Sequence, residues 1–227
     1  MLLPDSGASF AVFAAIIIVF SAASYGKKLL DLKGIILADI IGSASFLLGG
    51  MPAFLALIMF YAVAETITVI ARKNSVKHEQ RSIPNIMGNS GPAIIALLLG
   101  QFGAFFAALS AAFADTASSE IGMLARERPV LITSLEKVEK GTDGGITVLG
   151  ISAAVAAATI MGLFYYFAVT PSAMLAALII AAGIAGSVVD SFLGAVFERR
   201  GKLDNTQVNF IASASGAAVF LLLQALI

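Results

Sequence analysis

Two acidic residues interrupt an apolar stretch of the chain. Asp115 and Glu120 lie in the sequence ADTASSEIG at 114–122, within a segment from 101 to 125 that otherwise reads as lipid-soluble. An ionised side chain inside a bilayer costs at least about 2.5 kcal/mol, so a carboxylate there is a candidate for a functional site. Glu120 follows Asp115 by five residues, which is about 140° round an ideal helix. The two share one site only if the helix is distorted or a neighbouring helix wraps around it.

A second acidic pattern lies near the end of a later apolar segment. Gly186, Asp190, Gly194 and Glu198 recur at intervals of four residues, which places them close to one face of a helix. Glycine lets another backbone or a phosphate group approach closely, so this face predicts a seam lined by a ligand. Mg²⁺ is usually bound through one or two protein carboxylates together with substrate phosphates, so two Asp residues from different helices would suffice for a Mg²⁺ site.

Three loops rich in Gly, Asn, Ser and Thr precede predicted helices. They are GNSGP at 88–92, GTDGGIT at 141–147 and NTQVN at 205–209. Pro92 suits the first position of a helix, and Asn or Ser suits its cap. Free backbone N–H groups and the positive end of the helix dipole attract phosphate. The sequence therefore predicts carboxylates for Mg²⁺ and backbone amides for phosphate on the same side of the protein.

The elements that position these groups are membrane-spanning helices. The chain has 227 residues, of which 59% are hydrophobic and 12% charged, and it is far more apolar than an ordinary soluble domain. A spanning helix needs about 20 mostly apolar residues. Eight segments are candidates: 8–24, 34–49, 52–71, 88–100, 102–124, 146–168, 172–197 and 208–227. We predict a single all-α integral membrane domain over residues 1–227, with seven spans as the alternative if the short fourth segment is re-entrant.

The cations predict how the helices are oriented. All fourteen Lys and Arg residues fall in four segments, at 27–33, 72–81, 126–140 and 199–202. With eight spans, these are the alternate loops on one side, which the positive-inside rule assigns to the cytoplasm. Both termini then face outward, and the active face of the protein is cytoplasmic, in what we expect to be the cell membrane.

Composition also excludes some classes of function. The chain has no Cys, so neither a disulfide framework nor a thiolate metal site is available. No basic stripe with interleaved aromatic residues suggests nucleic acid as a partner. Asp39 and Glu65 lie inside predicted spans, where structural and functional roles are equally open. His78 lies in a basic loop and is predicted to be solvated.

The chain resembles the integral membrane proteins of the phytyl-phosphate kinase and transmembrane protein 19 type, long listed as a domain of unknown function. The resemblance covers most of the chain after Leu32 and is carried by five motifs in the family's order. They are RSIPNIMGNSGP (81–92), ADTASSEIG (114–122), GTDGGIT (141–147), GSVVDSFLGAVFE (186–198) and NTQVNF (205–210). A weaker similarity links the two acidic motifs to membrane cytidylyltransferases and dolichol kinase, which use CTP.

The resemblance carries roles over to individual positions. The residues that match the family's motifs are Arg81, Asn89, Asp115, Ser119, Glu120, Gly122, Gly144, Gly145, Asp190, Ser191, Gly194 and Asn209. The family often has Gln where Glu198 stands. The family's plant member phosphorylates phytyl monophosphate to the diphosphate with a nucleoside triphosphate, which implies a prenyl-phosphate kinase here.

The resulting hypothesis is phosphoryl transfer at the cytoplasmic membrane face. A nucleoside triphosphate is the donor, a prenyl phosphate in the bilayer is the acceptor, and Asp115 and Asp190 hold Mg²⁺, with Glu120 as a second metal ligand or as a group that positions the attacking phosphate. Arg81 and Lys137 contact phosphate oxygens, and the matched Gly and Asn residues complete the cradle. The alternatives are a secondary transporter, because a Gly-rich loop followed by an acidic helix occurs twice, and a lipid-binding membrane protein. The sequence leaves the oligomeric state open.

Overall fold

A computed structural model describes residues 7–27, 29–71 and 83–227. Within these ranges the chain forms seven α-helices, one 3₁₀-helix and one two-stranded sheet. The α-helices are α1 (Gly7–Gly26), α2 (Leu32–Ala71), α3 (Ile83–Leu98), α4 (Phe102–Gly122), α5 (Val148–Ala168), α6 (Ala173–Val196) and α7 (Asn205–Gln224). The 3₁₀-helix is η1 (Glu198–Arg200), and the strands are β1 (Val130–Leu131) and β2 (Gly145–Ile146). The prediction of an all-α membrane bundle is confirmed, since five of these helices are long and apolar enough to cross a membrane and α3 is a shorter apolar helix.

The long helix α2 is a helical hairpin. Gly50 has φ 70° and ψ −171°, a left-handed conformation that glycine adopts without a steric penalty. A Cβ atom on Gly42 would lie 3.4 Å from the ring of Phe54. In a straight helix, in which each residue adds about 1.5 Å of length, Gly42 and Phe54 would be too far apart for this contact. The two arms therefore fold back on each other and correspond to the predicted spans at 34–49 and 52–71. Counted this way, the described chain has eight helical passes, the larger of the two predicted numbers.

The start of α3 differs from the sequence prediction. The helix begins at Ile83, so the segment GNSGP at 88–92 lies inside it and does not open the span. Pro92 lacks an N–H group, which leaves the carbonyl of Gly88 without its helical donor. The small residues are explained by packing, because a Cβ atom on Gly88 would lie 3.0 Å from the carbonyl oxygen of Thr206 in α7. The prediction of an anion-binding helix end at GNSGP is therefore wrong.

The central element of the bundle is α4, which packs against α2, α3, α5, α6 and α7. Its small residues let the neighbouring backbones come close. A Cβ atom on Gly186 of α6 would overlap the Cβ of Ala111, and one on Gly216 of α7 would lie 3.0 Å from the carbonyl oxygen of Ala107. Such close crossings of small residues are typical of helices packed in membranes. Gly186 is therefore buried in the α4–α6 crossing, and its predicted role in binding a ligand is not supported.

Consecutive helices after α3 run in opposite directions. Gly122 at the end of α4 lies beside Gly150 near the start of α5, whereas Gly103 at the other end of α4 lies beside Phe220 near the end of α7. The connections 123–147 and 197–204 then belong to one end of the bundle, which carries the Lys and Arg residues of both connections and is called the basic end below.

Single cysteines test this arrangement in a chain that has none of its own. We expect a membrane-impermeant thiol reagent to label cysteines at Lys137 and Lys202 from one side only, and a cysteine at Thr170 from the other. The positive-inside rule predicts that the side of Lys137 is the cytoplasm. Labelling of Lys137 and Thr170 positions from the same side would contradict the alternating bundle.

Candidate functional site

A cleft of about 520 Å³ opens at the basic end between α4, α6, the start of α7 and the loop at 123–147. Nine residues predicted from the sequence line it: Asp115, Ser119, Glu120, Gly122, Gly144, Gly145, Asp190, Ser191 and Gly194. Two acidic motifs and one Gly-rich loop, far apart in the sequence, thus meet at one place. This space is called the acidic cleft below.

Asp115 of α4 and Asp190 of α6 face each other across this cleft. Their carboxyl groups lie within hydrogen-bonding reach of one another. The Oδ2 atom of Asp190 is buried and has no hydrogen-bond partner among the described residues. Two ionised carboxylates at this separation repel each other unless a proton or a cation lies between them. Their chemistry fits a divalent metal ion such as Mg²⁺, which binds oxygen ligands and commonly uses two carboxylates.

Other carboxylates surround this pair. Asp143 and Glu198 both interact electrostatically with Asp190, and the side chain of Asn205 lies close to the Glu198 carboxylate. Asp143 was not singled out from the sequence, although it lies inside GTDGGIT, between the predicted phosphate-binding residues.

The charge balance of the acidic cleft favours cations. Five carboxylates line it, from Asp115, Glu120, Asp143, Asp190 and Glu198, and among the described residues the single cation in its lining is Lys140. Like charges at these distances repel strongly in a low-dielectric setting. A phosphate compound therefore enters this cleft only when it is accompanied by cations.

Glu120 does not join the central pair as a third ligand. It lines the acidic cleft, but its Oε1 atom lies 3.3 Å from Thr68 Oγ1 in α2, a hydroxyl that also donates to the carbonyl of Ala64 at 3.0 Å. The helix α4 continues without a break to Gly122, so the wide angle between Asp115 and Glu120 remains. In the part of the chain that the structure describes, no group of three His, Cys, Asp or Glu residues is arranged to hold a metal ion. The structure thus brings Asp115 and Asp190 together without Glu120, and binding of a metal ion by the pair stays a prediction.

A small β-hairpin holds the loop at 123–147 against the helices. The strands β1 and β2 are antiparallel, and Ile132 N donates a hydrogen bond of 3.0 Å to the carbonyl of Gly144. Gly144 has φ 74°, and a Cβ atom on it would lie 2.5 Å from the backbone nitrogen of Ala195 in α6. A Cβ atom on Gly194 would likewise lie 2.9 Å from the nitrogen of Gly144. The glycines thus allow direct contact between two backbones, which brings Asp143 to the acidic cleft.

Lys140, and not Lys137, supplies the cation of the acidic cleft. Lys137 is exposed, does not line the cleft and pairs through its backbone with Val130. Lys140 Nζ donates hydrogen bonds to the carbonyl of Met123 at 3.2 Å and to that of Ala125. This contact places a positive charge at the negative end of the α4 dipole. An ammonium group has three donors, so one remains for a ligand in the cleft.

The N-termini of α5 and α7 lie at the same end of the bundle, and each is already capped. Thr147 Oγ1 accepts a hydrogen bond of 3.0 Å from Gly150 N. Asp204 accepts one of 2.9 Å from Gln207 N, and the Gln207 side chain bonds back to the Asp204 backbone to complete a capping box. These caps take one backbone donor from each helix end. The predicted phosphate sites at these ends therefore keep only their remaining first-turn amides.

Two of the other predicted residues fall outside the acidic cleft, and a third is not among the described residues. Asn209 lies in α7 and donates a hydrogen bond of 3.3 Å to Asn205, which does line the cleft. Asn89 is buried in α3 and does not contribute to the lining. Arg81 lies outside the described residues, as does His78. Asn209 is therefore one step removed from the site, and Asn89 belongs to the helix packing.

Two further acidic residues, Asp39 and Glu65, lie in α2 and do not line the acidic cleft. The Ser21 hydroxyl of α1 donates one hydrogen bond shared between the two carboxylate oxygens of Asp39, each 2.9 Å from Ser21 Oγ, which fits a role in holding α1 on the bundle. Glu65 is buried, and nothing in the structure assigns it a function.

Fold and cleft together define a helical integral membrane protein with a carboxylate-rich cleft at one end of its bundle. The chain belongs to the DUF92 family of integral membrane proteins, whose family profile matches residues 15–217. It is 35% identical to an uncharacterized membrane protein of Methanocaldococcus jannaschii, over 93% of this chain and 94% of that protein. It is 31% identical to the protein PGR of Arabidopsis thaliana, over 85% of this chain and 79% of that one. An uncharacterized membrane protein of Synechocystis is 27% identical over 90% of this chain and 86% of its own length. No solved structure matches the chain.

Proposed function

We propose that this protein is a membrane prenyl-phosphate kinase that transfers the γ-phosphoryl group of a nucleoside triphosphate to a polyprenyl or phytyl-type monophosphate. The observation that carries the proposal is the meeting of Asp115 and Asp190 in a polar cleft at the end of an apolar bundle, with one buried carboxylate oxygen of Asp190 left without a partner among the described residues. Enzymatic phosphoryl transfer depends mainly on positioning and on neutralising charge. A cleft rich in carboxylates and open at the membrane surface suits that task.

Asp115 and Asp190 would hold the metal ion. Mg²⁺, when bound there, supplies the positive charge that screens the phosphate oxygens from these carboxylates. Asp143 and Glu198 lie close enough to add to the negative field that attracts the cation. Glu120 contacts Thr68 of α2. In this proposal Glu120 positions the acceptor phosphate and does not bind the metal ion that Asp115 and Asp190 would hold.

The reaction needs no dedicated base, because a phosphate monoester is already ionised near neutral pH. An oxygen of the prenyl monophosphate attacks the γ-phosphorus, the bond from that phosphorus to the bridging β–γ oxygen breaks, and the nucleoside diphosphate leaves. Lys140 presents its remaining N–H donor to a phosphate oxygen, and the free first-turn amides of α5 and α7 extend the set of donors. The Ser119 and Ser191 hydroxyls, both in the lining, add neutral donors.

Two exposed apolar side chains lie at the acidic cleft or next to it in the sequence. Met123 lines it and is exposed, and Phe192, next to Ser191 in α6, is exposed as well. An isoprenoid tail that lies along such side chains stays in hydrocarbon while its phosphate reaches the carboxylates. This arrangement favours a lipid monophosphate over a small soluble acceptor.

The test is conversion of a prenyl monophosphate to its diphosphate by the purified full-length protein in lipid nanodiscs. Phytyl and geranylgeranyl monophosphates are offered with Mg²⁺ and with CTP, UTP, GTP and ATP in turn, and the lipid products are separated by chromatography. We expect transfer from at least one nucleotide and its loss on chelation of Mg²⁺. Absence of diphosphate with every combination, or undiminished transfer without Mg²⁺, would overturn the proposal and favour transport or lipid binding.

Two lysines in the same loop provide a matched pair for the site. We expect Lys140→Met to lower kcat/KM roughly 10- to 100-fold, because a hydrogen bond to a charged group is worth about 1.5–3 kcal/mol. Lys137→Met should leave kcat/KM within about twofold, since exposed charges away from a ligand contribute little. The measurement is steady-state kinetics of the kinase assay, with thermal unfolding as a control for folding. Equal effects of the two substitutions on kcat/KM would contradict the assignment of Lys140 to the site.

A further inference from the structure

A second cleft, of about 380 Å³, lies beside the acidic cleft at the basic end. Its lining is formed by Leu131, Thr133, Ala195, Val196, Arg199 and Arg200. Nothing in the proposed kinase reaction uses these residues. This space is called the arginine cleft below.

The β-hairpin and the end of α6 form a shared wall between the two clefts. Leu131 of β1 pairs with Gly145 of β2, and Leu131 lines the arginine cleft while Gly145 lines the acidic one. Along α6, Gly194 lines the acidic cleft and its neighbour Ala195 lines the other. The two clefts therefore have no lining residue in common, although the same backbone contact separates them.

The arginine cleft has the opposite charge from the acidic one. No carboxylate is part of its lining, and neither Arg199 nor Arg200 forms an ion pair within the described chain. Each guanidinium presents a planar fork of N–H donors that matches phosphate oxygens, and Thr133 adds a hydroxyl. The rest of the lining is apolar, from Leu131, Ala195 and Val196. Such a space suits a ligand with an anionic head and an apolar body.

Its position in the fold identifies the source of that ligand. Arg199 and Arg200 belong to η1, which begins two residues after α6 ends, so they lie where a spanning helix leaves the bilayer. Basic pockets at this depth, next to membrane helices, bind the headgroups of anionic lipids. We propose that the arginine cleft binds the phosphate of an anionic membrane lipid through Arg199 and Arg200, with the apolar part of the lipid against Val196 and Leu131.

A bound lipid would connect the hairpin to α6. The lining comes from both β1 and the end of α6, and the backbone contact between Gly144 and Ala195 lies in the wall behind it. Binding there stabilises the docked hairpin, because a ligand that binds only the folded arrangement lowers its free energy. The segment between the two strands of this hairpin carries both Lys140 and Asp143, so anionic lipid should also support the acidic cleft.

The test is thermal unfolding of the full-length protein in neutral detergent with added lipid, combined with native mass spectrometry. We expect phosphatidylglycerol to raise the unfolding midpoint of the parent by roughly 4 °C or more, and phosphatidylcholine to leave it unchanged. The double variant Arg199→Gln/Arg200→Gln should lose this rise and the bound phosphatidylglycerol. The control is Arg126→Gln/Arg128→Gln, which removes the same charge from the same end of the bundle but outside the arginine cleft, and which should keep both.

Three outcomes would overturn the proposal. Equal losses in the two double variants would mean that phosphatidylglycerol responds to the overall charge of the basic end. A rise produced equally well by pyrophosphate without lipid would mean that the cleft takes a soluble phosphate compound. If the Gln double variant fails to fold, Arg199→Lys/Arg200→Lys keeps the charge and removes the guanidinium fork; weakened phosphatidylglycerol binding supports the site, and undiminished binding overturns it.

Discussion

Asp115→Asn should nearly abolish phosphoryl transfer while the bundle stays folded, with a loss of roughly a thousandfold in kcat for a group that holds positive charge at the transferring phosphate. The amide keeps the shape of the side chain and removes the charge, so the Asp115–Asp190 pair can no longer share a divalent cation. Asp190→Asn should behave in the same way. Glu198→Gln should have a mild effect, because Glu198 lies beside the Asp115–Asp190 pair and is not a member of it.

A second readout for Asp115→Asn does not depend on activity. Mg²⁺ that binds the folded protein should raise its unfolding midpoint, and Asp115→Asn should remove this rise. Without Mg²⁺, the variant should be at least as stable as the parent, because replacing one of two facing carboxylates relieves their repulsion. If Asp115→Asn instead disrupted the fold, its unfolding midpoint without Mg²⁺ would lie below that of the parent. The measurement therefore separates loss of the metal site from loss of folding.

The control for this prediction is Glu139→Gln. Glu139 is exposed and pairs only with Arg128, at 3.2 Å, among the described residues, so its removal should change neither transfer nor the response to Mg²⁺. Robust transfer by Asp115→Asn, or an unchanged Mg²⁺-dependent rise in its unfolding midpoint, would contradict the assignment of the metal site to Asp115 and Asp190.

Gly144→Ala should have the second large effect. The residue has φ 74°, and a Cβ atom would lie 2.5 Å from the nitrogen and 2.6 Å from the Cα of Ala195. A left-handed conformation costs a non-glycine residue about 1–2 kcal/mol, and the steric overlap with backbone cannot be relieved by a side-chain rotation. The loop at 123–147 should therefore separate from α6 and take Asp143 with it. We expect transfer and Mg²⁺-dependent stabilisation to fall together.

The matched control is Gly201→Ala. Gly201 also has a positive φ, of 64°, but no atom lies within 4 Å of the position of its Cβ. This substitution should show the backbone penalty alone, as a small decrease in the unfolding midpoint with transfer preserved. Limited proteolysis distinguishes the two variants, because the loop at 123–147 should be cleaved more readily in Gly144→Ala than in Gly201→Ala. If Gly144→Ala were no worse than Gly201→Ala, the contact between the loop and α6 would not shape the acidic cleft.

Patterns that depend on a single helix could be predicted from the sequence. Continuous apolar runs predicted the ends of the helices to within five residues, and the gap between the predicted spans at 34–49 and 52–71 matches the break in α2 at Gly50. The carboxylates of Asp115 and Asp190 could be placed together because a charge in the bilayer needs a partner and both lie near the basic end. The role of the pair in binding metal stays a prediction.

Features that depend on contacts between distant segments could not be predicted in the same way. Gly88 and Pro92 looked like a helix start because their local preferences favour one, but the packing of α3 against α7 prevails over them. Lys137 and Lys140 are equivalent as residues of a basic loop, and only the hairpin decides which of them reaches the acidic cleft. Asp143 was overlooked because it lies in a loop, where a charge needs no explanation.

The composition of α4 has a consequence for how the protein is made. Although α4 has 21 residues, it is not among the five helices that are long and apolar enough to cross a membrane by themselves. An Asp near the middle of a helix opposes its release from the translocon into lipid by about 2.5–3.5 kcal/mol, and the partner of Asp115 is synthesised only with α6. During biogenesis α4 should therefore stay beside the translocon or pair with α2 and α3 until the later helices emerge. The helix α4, which carries Asp115, should therefore depend on the other helices for its insertion into the membrane.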